Sequence, residues 1–569
     1  MQEISYFCGK IIDIMKKGIF LYCLFALIFV ACNENAPEGG EGGTTPLQPG
    51  EITYDFKPVY NRLIISGDGA MPNYATPADA PWYKYAENVT EVIIEEGVTS
   101  VGKHAFKEYI HISKVTLPTT LKVIERSAFE GCTSLSDIDL SKTSLTSIGN
   151  RAFYGCTSLT DLDFSETSVN LIDQEAFAEC KALKSVAVPA SLKTIGTKAF
   201  YNCQSLATLD LSQAHLSTLG ERAFYKCTAL TKMDLSSSSV STIPQHAFYA
   251  CSALTEIILP NGLQSIGRAA FDYCTALAQV HLAGSKNDIV FPSQNFTTIG
   301  DWAFAECNSL TYISLSSSVK TIGEGAFYKC MALKTANLSS SNLTQLGKRA
   351  FQGCEALETV YWNSKTTTVP EKAFHKCGAL KTINSFSGVK TIGTGAFAEC
   401  KALDVAVPSS VVTIGDSAFF NCTALQNIKL QSDLTNLGKA AFHSCTHATL
   451  SSMKSCTKLK VIEESAFKYV GRFASTSFTI ELPSTITSIK KGAFLSTGYD
   501  TRHSGHLSTV ICHAKTPPTL ESGGEVFSAS QISEHNVYLK VPSASVETYK
   551  ITSYGWRTYF SNYQIEALQ

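Results

Sequence analysis

The feature that most constrains this chain is a word repeated along it: Ile-Gly-x-x-Ala-Phe-x-x-Cys-x-x-Leu, followed by alternating apolar residues. Ala-Phe occurs 17 times from Ala105-Phe106 to Ala493-Phe494, and most successive phenylalanines lie 22 to 25 residues apart. Such a period means stacked copies of one small unit, because a single copy cannot bury its own phenylalanine.

Residues 146–165 show the parts. Leu159-x-x-Leu162-x-Phe164 ends in period-two alternation, the spacing of a strand with one buried face. Ala152-Phe153-x-x-Cys156-x-x-Leu159 has period-three spacing, which predicts a short helical turn with one apolar side. Gly149, Gly196, Gly220 and Gly267 stand just before this turn, where the simplest expectation is that they let the chain bend from strand into helix. A unit of roughly 20–29 residues with this pattern is a leucine-rich repeat, and paired-helix repeats need about 33 residues or more. The expected fold is therefore an α/β repeat solenoid, a leucine-rich-repeat array of short parallel β-strands with short helical turns, capped at both ends.

Charge narrows the partners. Lys and Arg total 47 against 49 Asp and Glu, a net charge of −2, which offers no basic field for nucleic acid or an acidic membrane. The one long apolar run is Gly18–Val30, preceded by Lys16 and Lys17, and it fits the core of a secretory signal better than a membrane span. It ends at Phe29-Val30-Ala31-Cys32, which resembles a bacterial lipobox with Phe29 where leucine is usual. That resemblance implies a lipid on Cys32; a plain secreted protein cut elsewhere is the alternative. Residues 1–31 are then the signal, with Met15 a candidate true start. Residues 32–50, rich in Gly, Glu, Thr and Pro, read as a disordered tether.

Residues 51–98 depart from the repeat and suit an N-terminal cap, residues 99–495 the array, and residues 496–569 a C-terminal cap. Gly67-x-Gly69 is too slight for a nucleotide loop. Between Phe271 and Phe304 the spacing grows to 33, and 284–296 carries the excess as an expected edge loop.

These words together resemble the BspA-type, or treponemal, leucine-rich repeat over about residues 51–569. The opening Leu63-Ile64-Ile65-Ser66-Gly67-Asp68-Gly69-Ala70-Met71 with Pro81-Trp82 is similar to the start of many members, and Val541 to Lys550 with Trp556 to their close. The resemblance implies a curved, right-handed solenoid on a bacterial cell surface; with the lipobox, the expected place is the bacterial cell envelope, lipid-anchored in the outer membrane and surface-exposed. It implies adhesion to extracellular proteins of a host or of neighbouring cells.

Fourteen of the 19 cysteines fall three residues after a repeat phenylalanine, from Cys132 to Cys445, and read as a buried structural ladder. No Cys-x-x-Cys pair is present; Cys456 and Cys512 fall outside the register and stay open. His503, His506, Cys512 and His513 are the best metal candidates, although their spacing matches no standard zinc site. No nucleophile elbow, His-Glu-x-x-His helix or phosphate loop occurs, so neither an enzyme nor a cofactor is expected.

A partner is expected on the concave strand face, where the residue between two inward apolar positions points outward. Reading that position gives Asp139, Asp163, Asp210 and Asp234 in the acidic first half, then Ile258, His281 and Tyr361, with Trp362 beside it. Stacked aspartates repel, and Lys184, Lys232, a basic partner or a divalent cation would offset this. A strand face kept polar only for solubility is the competing reading. The leading functional expectation is an adhesin-like scaffold for an extracellular protein. Glycan capture at Tyr361 and Trp362, or a spacer without a ligand, are the alternatives.

Overall fold

The computed structural model describes residues 51–569 apart from 283–290, 292–293, 474–476, 499–505 and 523–524. The signal, Cys32, the tether, His503 and most of the insertion lie outside the described residues.

The chain winds as a parallel β-solenoid of about 19 turns with little helix. Each rung contributes two short strands. In the first column Asp161–Asp163 pairs in parallel with Ser185–Ala187, and in the second Leu171–Ile172 pairs with Thr194–Ile195. The second strand is the Thr-Ile step before the glycine, which the sequence pattern had not marked as a strand. Among the described residues only the first pairing is antiparallel: Ile52–Lys57 folds back on Arg62–Gly67 through a turn that ends at Asn61. Parallel pairing then runs past both ends of the Ala-Phe array, through Leu507–Cys512 and Tyr538–Val541 to Ile565–Ala567.

The third side of each rung is the Ala-Phe-x-x-Cys flank, and it forms turns rather than the expected helix. Its backbone alternates. Arg151 and Gly155, Lys198 and Asn202, and Arg222 and Lys226 are all left-handed, with φ between 55° and 72°, a combination that no α-helix accommodates. The alternation aims every second N–H along the solenoid. Lys198, Phe200 and Asn202 donate to the carbonyls of Glu221, Ala223 and Tyr225 one rung on, at 2.8, 2.8 and 2.7 Å. The intervening N–H groups of Ala199, Tyr201 and Cys203 bond back three residues within their own rung. Three bonds per rung to the next offset the cost of two left-handed residues.

The glycines serve a different purpose from the one expected. Gly149, Gly196 and Gly220 do not adopt positive φ; they lie flat against the rung before. A Cβ on Gly220 would sit 2.3 Å from the carbonyl carbon of Gly196 and 2.3 Å from the nitrogen of Thr197.

This close approach stacks the phenylalanines without a gap from Phe106 to Phe527. Successive ring centroids are 5.0 to 5.8 Å apart and nearly parallel. Phe527 follows Val526 rather than alanine and extends the stack one rung past the repeated word. Trp82 covers one end, stacked on Phe106 with its indole N–H donating to Ala105 O at 2.9 Å. Trp556, Tyr559 and Phe560 pack on Phe527 at the other.

The cysteine ladder is structural, as read, with one addition. Each thiol donates to the phenylalanine carbonyl of the preceding rung: Cys156 to Phe129 at 3.2 Å, Cys180 to Phe153 at 3.1 Å, Cys203 to Phe177 at 3.0 Å. That carbonyl also accepts a backbone N–H within its own rung, as Phe153 does from Cys156. Thr497 takes the same place in the Phe494 rung and donates to Phe467 O at 2.8 Å, whereas in the Phe467 rung the buried Val470 fills it without a donor. Cys456 and Cys512 are buried too, and every described cysteine is a free thiol. Burial pushes the thiols up, Cys180 and Cys445 to about 12 and Cys456 to about 11.

Two expectations follow. Gly220→Ala should destabilise by about 1–3 kcal/mol in denaturant melts, because backbone rather than a movable side chain stands in the way. The described thiols should resist a polar thiol reagent in native buffer and react together only when the chain is unfolded.

Candidate functional site

The outward face of the first strand column carries the residues singled out from the sequence. Asp139, Asp163 and Asp210 are exposed and Asp234 is half-buried. Each closes a turn. Asp139 Oδ1 accepts from the N–H and hydroxyl of Ser141 at 2.9 and 2.6 Å, and Asp163 Oδ1 from those of Ser165 at 2.9 and 2.7 Å. Asp210 and Asp234 accept the N–H groups of Ser212 and Ser236 at 2.9 and 2.8 Å. These bonds hold the Asp139 and Asp210 carboxyls below the usual range, so both stay charged at neutral pH. Asn337 closes the equivalent turn onto Ser339, so an amide meets the same local need.

A three-residue strand has two outward positions, and the sequence reading took only the second. The first adds Asp137, Asp161 and Glu256. Lys114 reaches Asp137 at 3.0 Å. Glu256 lies between Lys232 at 2.8 Å and His281 Nε2 at 2.8 Å, and its hydrogen bonds to Lys232 first and His281 second hold its carboxyl low. Lys232 therefore neutralises Glu256 rather than the aspartate stripe, and Lys184 acts on Asp161. Period-two reading of both outward positions would have found these residues.

Ile258 is aligned between Asp234 and His281, half-buried on the same face. Tyr361 is 42% exposed and aligned with Asn337 and Asn384. Trp362 is not on the face. It is 1% exposed, its indole N–H donates to Thr366 O at 2.9 Å, and its ring packs against Phe374 and Phe386. Strand alternation explains the correction: the residue after an outward tyrosine points inward.

His503 lies outside the described residues, and the described members of the histidine group near the C-terminal end do not converge. Cys512 is buried and accepts a hydrogen bond from the Tyr549 hydroxyl at 3.1 Å, while His513 is engaged with Glu481 at 2.6 Å. His506 stacks on His535 instead. Among the described residues no group of three metal-ligating side chains occurs. The described end of the insertion is anchored rather than bulged, with Phe291 and Phe296 buried and their rings stacked at 5.0 Å.

One carboxyl on the turn flank stands apart. Asp272 has a buried Oδ1 without a hydrogen-bond partner, and Glu306 on the next rung is itself paired with Lys329 at 3.1 Å. Burial first, and the Glu306 charge second, push the Asp272 carboxyl up to about 7.

The BspA type leucine rich repeat region matches residues 80–207, 170–290, 283–404 and 404–504, and the chain belongs to that family. Among solved structures, a leucine-rich repeat protein from Bacteroides ovatus is 24% identical, with 73% of this chain and 94% of that one aligned at a TM-score of 0.50. A leucine rich cell surface protein from Faecalibacterium prausnitzii is 25% identical, with 70% and 96% aligned and a TM-score of 0.31. The first likeness speaks for the fold. No curated protein matches the chain. The chain is thus a leucine-rich-repeat protein of the BspA type. No described helix is long and apolar enough to cross a membrane.

Asp272 supplies a pH test. Its native pKa lies above its unfolded value near 3.8, so the folded state holds the proton more tightly. Its contribution therefore favours folding at low pH and is lost as pH rises from about 4 through about 7. Asp272→Asn should raise the melting temperature at pH 8 and change it little at pH 4; equal effects at both would refute the assignment.

Proposed function

We propose that this chain is a surface-anchored interaction protein that docks a basic protein surface on the outer face of its first strand column. The anchor is a lipid on Cys32, placing the solenoid on the outside of a bacterial envelope with an extracellular protein, of a host or a neighbouring cell, as partner. One observation supports the reading above others. Asp139, Asp161, Asp163, Asp210 and Asp234 share that face, and among the described residues none of the five has an ion-pair partner within 4 Å. Carboxylates gathered on one face without a close counter-ion repel one another and are relieved by a cationic partner. Ile258, His281 and Tyr361 continue the face with less charge, giving a partner an apolar edge to settle against. A glycan reading of the same face has less support, because Tyr361 and the half-buried Tyr312 are two strands apart there and Trp362 is in the core.

The variant that tests this keeps the turns intact. Replacing Asp139, Asp163, Asp210 and Asp234 together by Asn preserves the turn closure that Asn337 makes and removes four charges. Binding of the purified chain to an array of extracellular matrix and cell-surface proteins should be saturable. It should weaken about tenfold or more in this variant, and also as salt rises from about 0.05 to 0.5 M. Saturable binding that ignores both changes would refute the acidic-face reading. No protein ligand at any salt would favour a spacer.

A further inference from the structure

On the turn flank, cations find carboxylates on neighbouring rungs. Arg151 pairs with Glu130 at 2.9 Å, Lys198 with Glu175 at 3.1 Å, Lys329 with Glu306 at 3.1 Å and Arg349 with Glu324 at 2.7 Å. Arg222 and Arg268 do not. Among the described residues neither guanidinium makes an ion pair within 4 Å or a hydrogen bond.

The columns explain why. Lys198, Arg222 and His246 hold the same left-handed position in three successive rungs, with φ of 57°, 55° and 55°, so Arg222 has a cation before it and an imidazole after it. Glu175 is already bonded to Lys198 and lies 3.8 Å from Arg151. Asp301, one rung beyond Arg268, turns its Oδ1 to the N–H of Glu324 at 2.7 Å.

His246 joins the two arginines. Its ring feels both of their charges, and its backbone N–H donates to Arg268 O at 3.0 Å. Nδ1 is buried without a hydrogen-bond partner, which leaves Nε2 as the nitrogen that meets solvent. Burial first, then Arg222 and Arg268, hold the imidazole below its ordinary value, and Glu221 alone pulls the other way. An anion laid against these groups offsets the repulsion among them.

An aromatic strip begins at the same place. His246 stands edge-on to Tyr225 and Tyr249 at 6.4 and 5.8 Å, and the two tyrosines stack on each other at 4.6 Å. Their facing surfaces are therefore covered. Tyr273 differs: it meets Tyr249 edge to face at 5.7 Å and is 46% exposed, so part of its ring is open.

We propose that this part of the turn flank binds a sulfated saccharide, with a sulfate ester held by Arg222, Arg268 and His246 Nε2 and a sugar ring resting on Tyr273. The guanidinium forks match an oxyanion in two-point contact, and the open tyrosine takes the ring beside it. A bare anion leaves Tyr273 unused, and a neutral sugar leaves the arginines uncompensated. The site is apart from the acidic strand face and does not depend on that reading.

The test measures binding of the purified full chain to sulfated oligosaccharides, their desulfated counterparts, inorganic sulfate and a phosphoserine peptide. A sulfated oligosaccharide should bind saturably and more tightly than inorganic sulfate, and its desulfated form should not bind. Arg222→Gln with Arg268→Gln should weaken it about tenfold or more with an unchanged thermal melt. Tyr273→Ala should weaken the saccharide and leave inorganic sulfate unaffected. Because the bound anion favours the protonated ring, affinity should rise as pH falls from about 7.5 to about 5.5. Asp272, which acts on Tyr249, loses its charge through about 7 in the same range. His246→Gln and Asp272→Asn therefore apportion the pH effect, and the ring's share should vanish in the first. The fourfold Asp→Asn variant of the strand face should bind the saccharide as wild type does. Four results would overturn the proposal: no sulfated saccharide bound, desulfated forms bound equally well, the arginine variant unimpaired, or the phosphopeptide bound in preference. Inorganic sulfate bound as tightly as the saccharide would reduce the site to an adventitious ion only.

Discussion

Everything in this solenoid depends on how closely one rung lies on the next. The spacing is set where backbone meets backbone. Gly196 and Gly220 have no Cβ, so their rungs come within van der Waals contact, and the alternating flank sends three N–H groups per rung into the following one. The phenylalanine stack is the consequence. Rings about 5.4 Å apart stack through the interior because the backbone holds that interval.

The same constraint explains residues that look like chemistry. Fourteen cysteines in register suggest metal or redox work until their surroundings are seen. Each is a small buried side chain that supplies a second hydrogen bond to a phenylalanine carbonyl one rung away; Thr497 supplies the same bond without sulfur, and the buried Val470 fills the place with none. The aspartates of the strand face have a similar double nature. They close turns, which gives them a local reason to exist, and their remaining charge is left without a counter-ion on the same ladder. Function on a repeat scaffold is most readable where the repeat departs from its own rule. Glu463 is such a departure, because its N–H does not bond back one rung as those of Gly415 and Gly438 do.

The errors of sequence reading were specific. Period-three spacing in Ala152-Phe153-x-x-Cys156 implied helix, since periodicity reports which side chains are buried and not the sign of φ. Left-handed Arg151 and Gly155 make the same residues face inward by a different path. The glycines were expected to supply φ freedom and instead supply room. Trp362 was placed outside by its neighbour Tyr361, though alternation sends adjacent strand residues to opposite faces. Glu256 was missed because only one of two outward positions was read.

What the sequence determined by itself was the architecture: a period of 22 to 25 residues with fixed apolar positions has no other way to bury its phenylalanines than by stacking. It also determined that the ladder cysteines are interior and that one stretch of strand face is acidic. The tertiary structure alone decided the rest. Whether Lys232 meets Asp234 or Glu256, whether Asp272 finds a partner for its buried oxygen, and whether Val461 closes onto Thr435 are all contacts between residues more than 20 positions apart. Their outcome depends on ångström-level offsets between rungs, and a repeat pattern averages those offsets away.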